Sequence, residues 1–219
     1  FIFFGRMFEL IGGTEFFVQI ARQVSGAGRG GPIKIAVVTS ALFGSISGST
    51  TANVVSSGSF SIPMMTRIGL RPHQAAAVEA VASTGGQLMP PVMGIAAFLM
   101  VEIAGLPYRE VIAAAALPGL LFFVSVFFQA DGLANRMDLP SEKPRPLLLW
   151  PFLRTACMVA GPVALLIFTL VRMPFAPGHG AVMGSLACIA LALVTQRGLR
   201  QLGARVLVLT QLAGEVAAR

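Results

Sequence analysis

Apolar runs recur along the whole chain, separated by short polar or basic stretches, and their lengths sort them into two kinds. Residues 111 to 130, 155 to 171 and 180 to 196 approach the roughly 20 apolar residues that a membrane-crossing helix needs, the last two being slightly short. Residues 32 to 67 and 73 to 106 are instead too long for one untilted helix, and each is interrupted near its middle by small or helix-breaking residues. In the first, Pro32 suits a helix start, IKIAVVTSALF runs apolar, and GSISGST intervenes before a second apolar stretch ending at Arg67. This pattern predicts a re-entrant helical hairpin over 32–70. The arm from Pro32 to Phe43 would be roughly 18 Å long, enough to reach the middle of a core of about 30 Å without crossing it. In the second, AAAVEAVAS breaks at TGGQLMPP and resumes as VMGIAAFLMVE, which predicts a discontinuous transmembrane helix over 71–106.

The rest of the chain divides around these segments. Residues 1–31 read as the end of a transmembrane helix and a connecting arm, and 107–136, 147–172 and 180–196 as transmembrane helices. MDLPSEKPRP (137–146) reads as a cytoplasmic loop, MPFAPGH (173–179) as a periplasmic one, and 197–219 as a basic interfacial tail or connector. The expected fold class is therefore an all-α polytopic membrane protein. Because the chain opens inside the apolar FIFF without an initiator Met or a signal-peptide n-region, it reads as a fragment.

Composition agrees with a bilayer environment. Hydrophobic residues make up 55% and charged residues 11% of the chain, and mean hydropathy is +0.80. A soluble domain carries roughly 25% charge, so a single water-soluble core is excluded. The net charge of +7 comes from residues lying between apolar segments, without the basic stripe and interleaved aromatics of a nucleic-acid surface. Positive charge favours the cytoplasmic side. A hairpin that returns to its starting side places Arg22, Arg29, Lys34, Arg67, Arg71, Arg136, Lys143, Arg145, Arg154, Arg197, Arg200, Arg205 and Arg219 together, with Arg109 and Arg172 opposite. Cys157 and Cys188 lack disulfide or metal spacing, and His73 and His179 sit at segment edges.

The two interruptions carry the candidate chemistry. The hairpin tip offers Ser45, Ser47, Ser49, Thr50, Thr51 and Asn53, together with carbonyls freed where a helix ends. Such hard oxygen donors suit a monovalent cation such as Na⁺, while the start of the returning arm near Ser49 and Thr50 suits a carboxylate. The second break supplies Ser83, Thr84, Gly85, Gly86, Gln87, Pro90 and Pro91. Broken backbone at membrane depth is tolerated where it packs in protein or lines a cavity, so both breaks point to one internal polar site. The bland reading makes Gly44 and Gly48 a small-residue packing motif with hydroxyls bonding across helices. Glu79 has two readings as well, an ion-attracting or proton-coupling carboxylate or an interfacial partner of Arg67 or Arg71. An intramembrane serine nucleophile at Ser47 lacks a base within reach, so no enzyme is expected.

RGGPIKIAVVTSALFGSISGSTTANVV, IPMMTRIGL and AVEAVASTGGQLMPPVMG together resemble the large membrane subunit of tripartite ATP-independent periplasmic (TRAP) transporters. The likeness is strongest over about residues 1 to 140; beyond that, hydropathy and segment order agree. GGQLMPP resembles the branch in which small and large membrane subunits are fused, and Gln87 stands where the commoner form has proline. The resemblance implies an elevator-type transporter of inverted repeats, driven by a sodium gradient and set in the cytoplasmic (inner) membrane of a bacterium or archaeon. A periplasmic substrate-binding protein would deliver a small organic acid, and the small membrane subunit or its fused equivalent would complete the complex. Carried over residue by residue, sodium sites fall on Ser45, Ser47, Gly48, Ser49, Asn53, Ser83, Thr84 and Gly86. Substrate contacts are expected at Thr50, Gln87 and Pro90. One hairpin and one break are expected to represent one of the two repeats. The alternative is a non-transporting scaffold or assembly subunit whose polar breaks serve packing.

Overall fold

The computed structural model describes residues 2–25, 28–142, 149–172 and 177–194. Apart from two short strands, the regular elements there are helices: α1 (Ile2–Leu10), α2 (Gly13–Ser25), α3 (Gly31–Ser47), α4 (Thr50–Arg67), α5 (Pro72–Gly85), α6 (Ile95–Ala104), α7 (Tyr108–Arg136), α8 (Leu149–Arg172) and α9 (Pro177–Val194). A single 3₁₀ turn, Gly86–Leu88, follows α5. The strands β1 (Gly28–Arg29) and β2 (Ser141–Glu142) pair antiparallel. The expected basic tail at 197–219 lies outside the described residues, as do 143–146 and 173–176 of the two expected loops.

Local chemistry explains the hairpin. Gly30 in the left-handed region and Pro32 in the first turn open α3. Gly48, at φ 62°, closes it by donating its N–H to the Gly44 carbonyl. Ser49 then caps α4, its hydroxyl accepting from Ala52 N at 3.3 Å. Only Gly48 and Ser49 separate the helices, so five residues of the expected GSISGST loop are helical instead. At 1.5 Å per residue, α3 is about 25 Å long rather than the 18 Å expected. A glycine C-cap and a serine N-cap need two residues, which is why the tip is tight. In the second segment, α5 and α6 flank Gly86–Gly94, which contains a cis Pro90–Pro91 peptide and Met93 at φ 59°.

α3 is the centre of the molecule. Its apolar residues point in all directions and nearly all are buried, as a helix packed on every side requires. Ile33, Ala36, Val37 and Ala41 join Met65, Ala75, Ala82, Phe123, Val126 and Ala130 in a core shared by α3, α4, α5 and α7. Phe43 and Ile46 face a second core with Phe4, Phe8 and Phe17, Val92 and Met93, Tyr108, Leu166 and Cys188. Large apolar side chains outside these cores are exposed, Ile103 by 84% and Phe128 by 69%. Unpartnered apolar surface of this kind matches a lipid environment.

Among the described residues, α7 is long and apolar enough to cross a bilayer by length and composition, while α3, α6 and stretches of α8 and α9 are shorter apolar helices of 10–17 residues. At the other two expected crossings, α8 and α9 run 24 and 18 residues. Pro177 to His179, expected in an external loop, open α9.

The base of the hairpin is fastened to the end of α7. Lys34 pairs with Asp131 and lies 5.6 Å above the Phe127 ring, and Arg29 pairs with Asp138 at 2.6 Å. Gly69, beyond α4, faces Leu139. Arg29, Lys34, Arg67, Arg71 and Arg136 therefore share one end of the molecule, opposite Arg109 at the start of α7.

Two outcomes follow. Asp131→Asn leaves the largely buried Lys34 ammonium without its anion, so stability in detergent should fall. Gly44→Ala places a methyl on Gly86 of the second break and should cost about 1–3 kcal/mol by overpacking. Thermal unfolding of the purified protein measures both.

Candidate functional site

The hairpin tip packs directly on the break between α5 and α6. The approach is so close that a Cβ on Gly86 would stand 2.7 Å from Gly44 Cα, and one on Gly48 would overlap the Met93 carbonyl. Val92 N donates to the Ser45 carbonyl at 3.0 Å, and Gln87 Nε2 donates to Thr50 Oγ1 at 2.6 Å. Gly94 N closes the break on Gln87 O at 2.8 Å. The Tyr108 hydroxyl, from the first turn of α7, donates to carbonyls of the Pro91–Val92 pair. The structure thus brings together the two interruptions that the sequence marks separately.

Four helix ends meet at this junction. α3 and α5 arrive by their C-termini, which carry partial negative charge and carbonyls beyond the reach of intrahelical donors; α4 and α6 leave by their N-termini, with the opposite charge. The junction therefore has donors for a cation and for an anion without an ionised side chain at the tip itself.

The predicted site residues occupy different parts of this region. Ser47 is buried, and its Oγ accepts from Ser49 N at 3.5 Å. Ser45 Oγ turns back onto the Leu42 carbonyl at 2.8 Å, and Ser49 is spent as the cap of α4. Gly48 and Gly86 form the close approach, Thr50 and Gln87 the side-chain bridge, and Pro90 the irregular run of the break. Thr84 is exposed and bonds the Ala80 carbonyl at 2.7 Å, away from the tip.

Ser83, Asn53 and Glu79 belong to a second polar cluster between the hairpin and α5. Glu79 is fully buried. Its Oε1 accepts from Ser83 at 2.9 Å, from Ser40 at 3.1 Å and from Ser57, and its Oε2 accepts from Ser61 at 2.5 Å. Asn53 Nδ2 donates to the Ser40 carbonyl at 2.9 Å. The expected alternative for Glu79, an interfacial pair with Arg67 or Arg71, is not formed, because Glu79 points inward between helices while both arginines are exposed. Serine hydroxyls stand around its carboxyl group in place of either guanidinium.

Ser40, Ser57 and Ser61 escaped the sequence reading, as did Tyr108. A signal was present. Asn53, Ser57 and Ser61 recur every four residues on α4, and Glu79 and Ser83 do so on α5, which puts each set on one helix face.

A separate cleft of about 450 Å³ runs between α5 and α7 over Val37 of α3, lined chiefly by apolar side chains with Gln129 and Arg136 among them. It does not include the junction.

The model of the family described as tripartite ATP-independent periplasmic transporter, DctM component, matches residues 1–218. An uncharacterized protein, y4mL, of Sinorhizobium fredii is 31% identical over 83% of this chain and 43% of its own length. The ectoine/5-hydroxyectoine TRAP transporter large permease protein UehC of Ruegeria pomeroyi is 29% identical over 82% of this chain and 41% of its own. The chain spans less than half the length of these relatives. Its match across nearly every residue, with an all-helical architecture and two interlocked helix breaks, places the chain in the DctM family of TRAP transporter large membrane components.

Proposed function

We propose that this chain is part of a sodium-coupled permease that imports a small carboxylate delivered by a periplasmic binding protein. The observation that carries the reading is the convergence of four helix ends where the hairpin tip meets the broken helix. In this reading α3 and α4 form a re-entrant hairpin and, with the discontinuous α5–α6 segment, make up one repeat of an inverted-repeat elevator. The basic end faces the cytoplasm of a bacterial or archaeal cell, as the distribution of arginines and lysines favours.

Sodium is held by Ser47 and by backbone oxygens at the C-terminal ends of α3 and α5, with Ser45, Gly48, Ser49 and Gly86 shaping that shell and Ser83, Asn53 and Thr84 lying behind or beside it. The positive ends of α4 and α6, with Thr50, Gln87 and the Pro90 region, take the carboxylate. Neutralising the anion with the cation in one low-dielectric site makes each raise the other's affinity, which is the thermodynamic content of coupling. The complementary binding half and the small membrane subunit, or its fused equivalent, come from outside this chain. UehC is named for ectoine and 5-hydroxyectoine; at 29% identity that substrate is not carried over.

Uptake by the intact transporter in proteoliposomes should require an inward sodium gradient. Ser47→Ala should raise the half-saturating sodium concentration by about tenfold, the loss of roughly 1.4 kcal/mol. Gln87→Ala should raise KM for the carboxylate while leaving sodium affinity within about twofold, since its amide bridges to Thr50 on the substrate side. Uptake that ignores the sodium gradient would defeat the coupling. Calorimetry that finds neither sodium nor substrate bound would favour a scaffold.

A further inference from the structure

Four hydroxyls bond the Glu79 carboxylate, three of them on Oε1 and one on Oε2. They come from α3 (Ser40), α4 (Ser57 and Ser61) and α5 (Ser83), so one side chain ties together both arms of the hairpin and the first half of the broken helix.

The network continues toward the tip. Ser57 Oγ also lies 2.7 Å from the Asn53 carbonyl and 3.2 Å from Asn53 Oδ1. Ser57 has one proton and four acceptors in reach, Ser40 Oγ at 3.3 Å being the fourth, so the carboxylate decides where that proton points. Asn53 Nδ2, held on the Ser40 carbonyl, lies 3.1 Å and 3.0 Å from where a Cβ would stand on Gly44 and Gly86. The amide therefore sits beside the closest approach of the two breaks.

We propose that Glu79 is a positioning residue: by gathering the hydroxyls of α3, α4 and α5 it fixes Asn53, and through Asn53 the register between hairpin tip and broken helix. It acts on ion and substrate binding only through that register. Glutamine replaces it imperfectly: with its oxygen toward Ser40, Ser57 and Ser83 it turns an N–H₂ group toward Ser61, which donates to Oε2. The consequence for transport rests on the junction being the binding site; the consequence for register does not.

Register is read by crosslinking. Cysteines at Thr50 and Gln87, whose side chains touch across the junction, are introduced into the intact permease with Cys157 and Cys188 replaced by alanine. The rate of crosslinking by a short bifunctional thiol reagent is measured beside thermal unfolding, and sodium-dependent uptake is measured without the added cysteines. Glu79→Gln should slow crosslinking at least tenfold and raise the half-saturating sodium concentration by a similar factor. The double variant Glu79→Ser with Ser57→Glu, which returns a carboxylate to the same hydroxyls from α4, should recover crosslinking to within threefold. Crosslinking at the parental rate in Glu79→Gln overturns the proposal, whatever happens to thermal stability, and so does a double variant as slow as the single. Should Glu79→Gln fail to fold, Ser61→Ala removes the donor on Oε2 and should slow crosslinking about threefold; an unchanged rate there is equally fatal. Sodium-independent uptake by the parent would end the coupling reading and leave the crosslinking result standing.

Discussion

The contact between Gly44 and Gly86 is the constraint on which the rest of this structure depends. Two helix segments approach until a single methyl on either would collide with the other's backbone. That closeness lets the backbone of one break pair with the other, Val92 N on the Ser45 carbonyl, and lets Gln87 reach Thr50. In a hydrocarbon surrounding, where interrupted backbone has no water to bond, mutual satisfaction of two breaks is what makes either tolerable. Each interruption is thus a condition for the other.

Around that contact the molecule is organised by burial of α3. A helix packed on all sides has two faces to satisfy, one with α4, α5 and α7 and one with α1, α6, α8 and the Phe4–Phe8–Phe17 aromatic group. Its base is held by the Lys34–Asp131 pair and its tip by the break, so its position is determined at both ends. The Glu79 cluster sits between those ends. There a carboxyl group is made compatible with a dry interior by hydroxyl partners rather than by a counter-ion.

Membership of the DctM family gives this arrangement a setting, the large membrane component of a TRAP transporter. The family description does not say how each residue works. The geometry separates two polar regions that a list of serines and threonines merges: an irregular junction rich in helix ends, and a closed hydroxyl cluster about Glu79. They differ in chemistry. At the junction, groups of both polarities are brought to one place by helix termination; in the cluster, four serine hydroxyls converge on one carboxyl group.

The sequence by itself determined the all-helical membrane character and the positions of both interruptions, because hydropathy, glycine and proline act locally on chain and solvent. Gly48 and Ser49 mark a helix end and a helix start wherever they are placed. It overestimated the loop at the tip, since GSIS has no local feature that forbids helix once its hydroxyls bond within the turn, as Ser45 does to Leu42. Only the tertiary structure decided that the two breaks touch, that Ser83 and Asn53 turn toward Glu79 while Thr84 turns out, and that Ser40, Ser57 and Ser61 complete the carboxylate's shell. Those facts depend on the rotation and register of three packed helices, and periodicity reveals which residues share a face without revealing what that face meets.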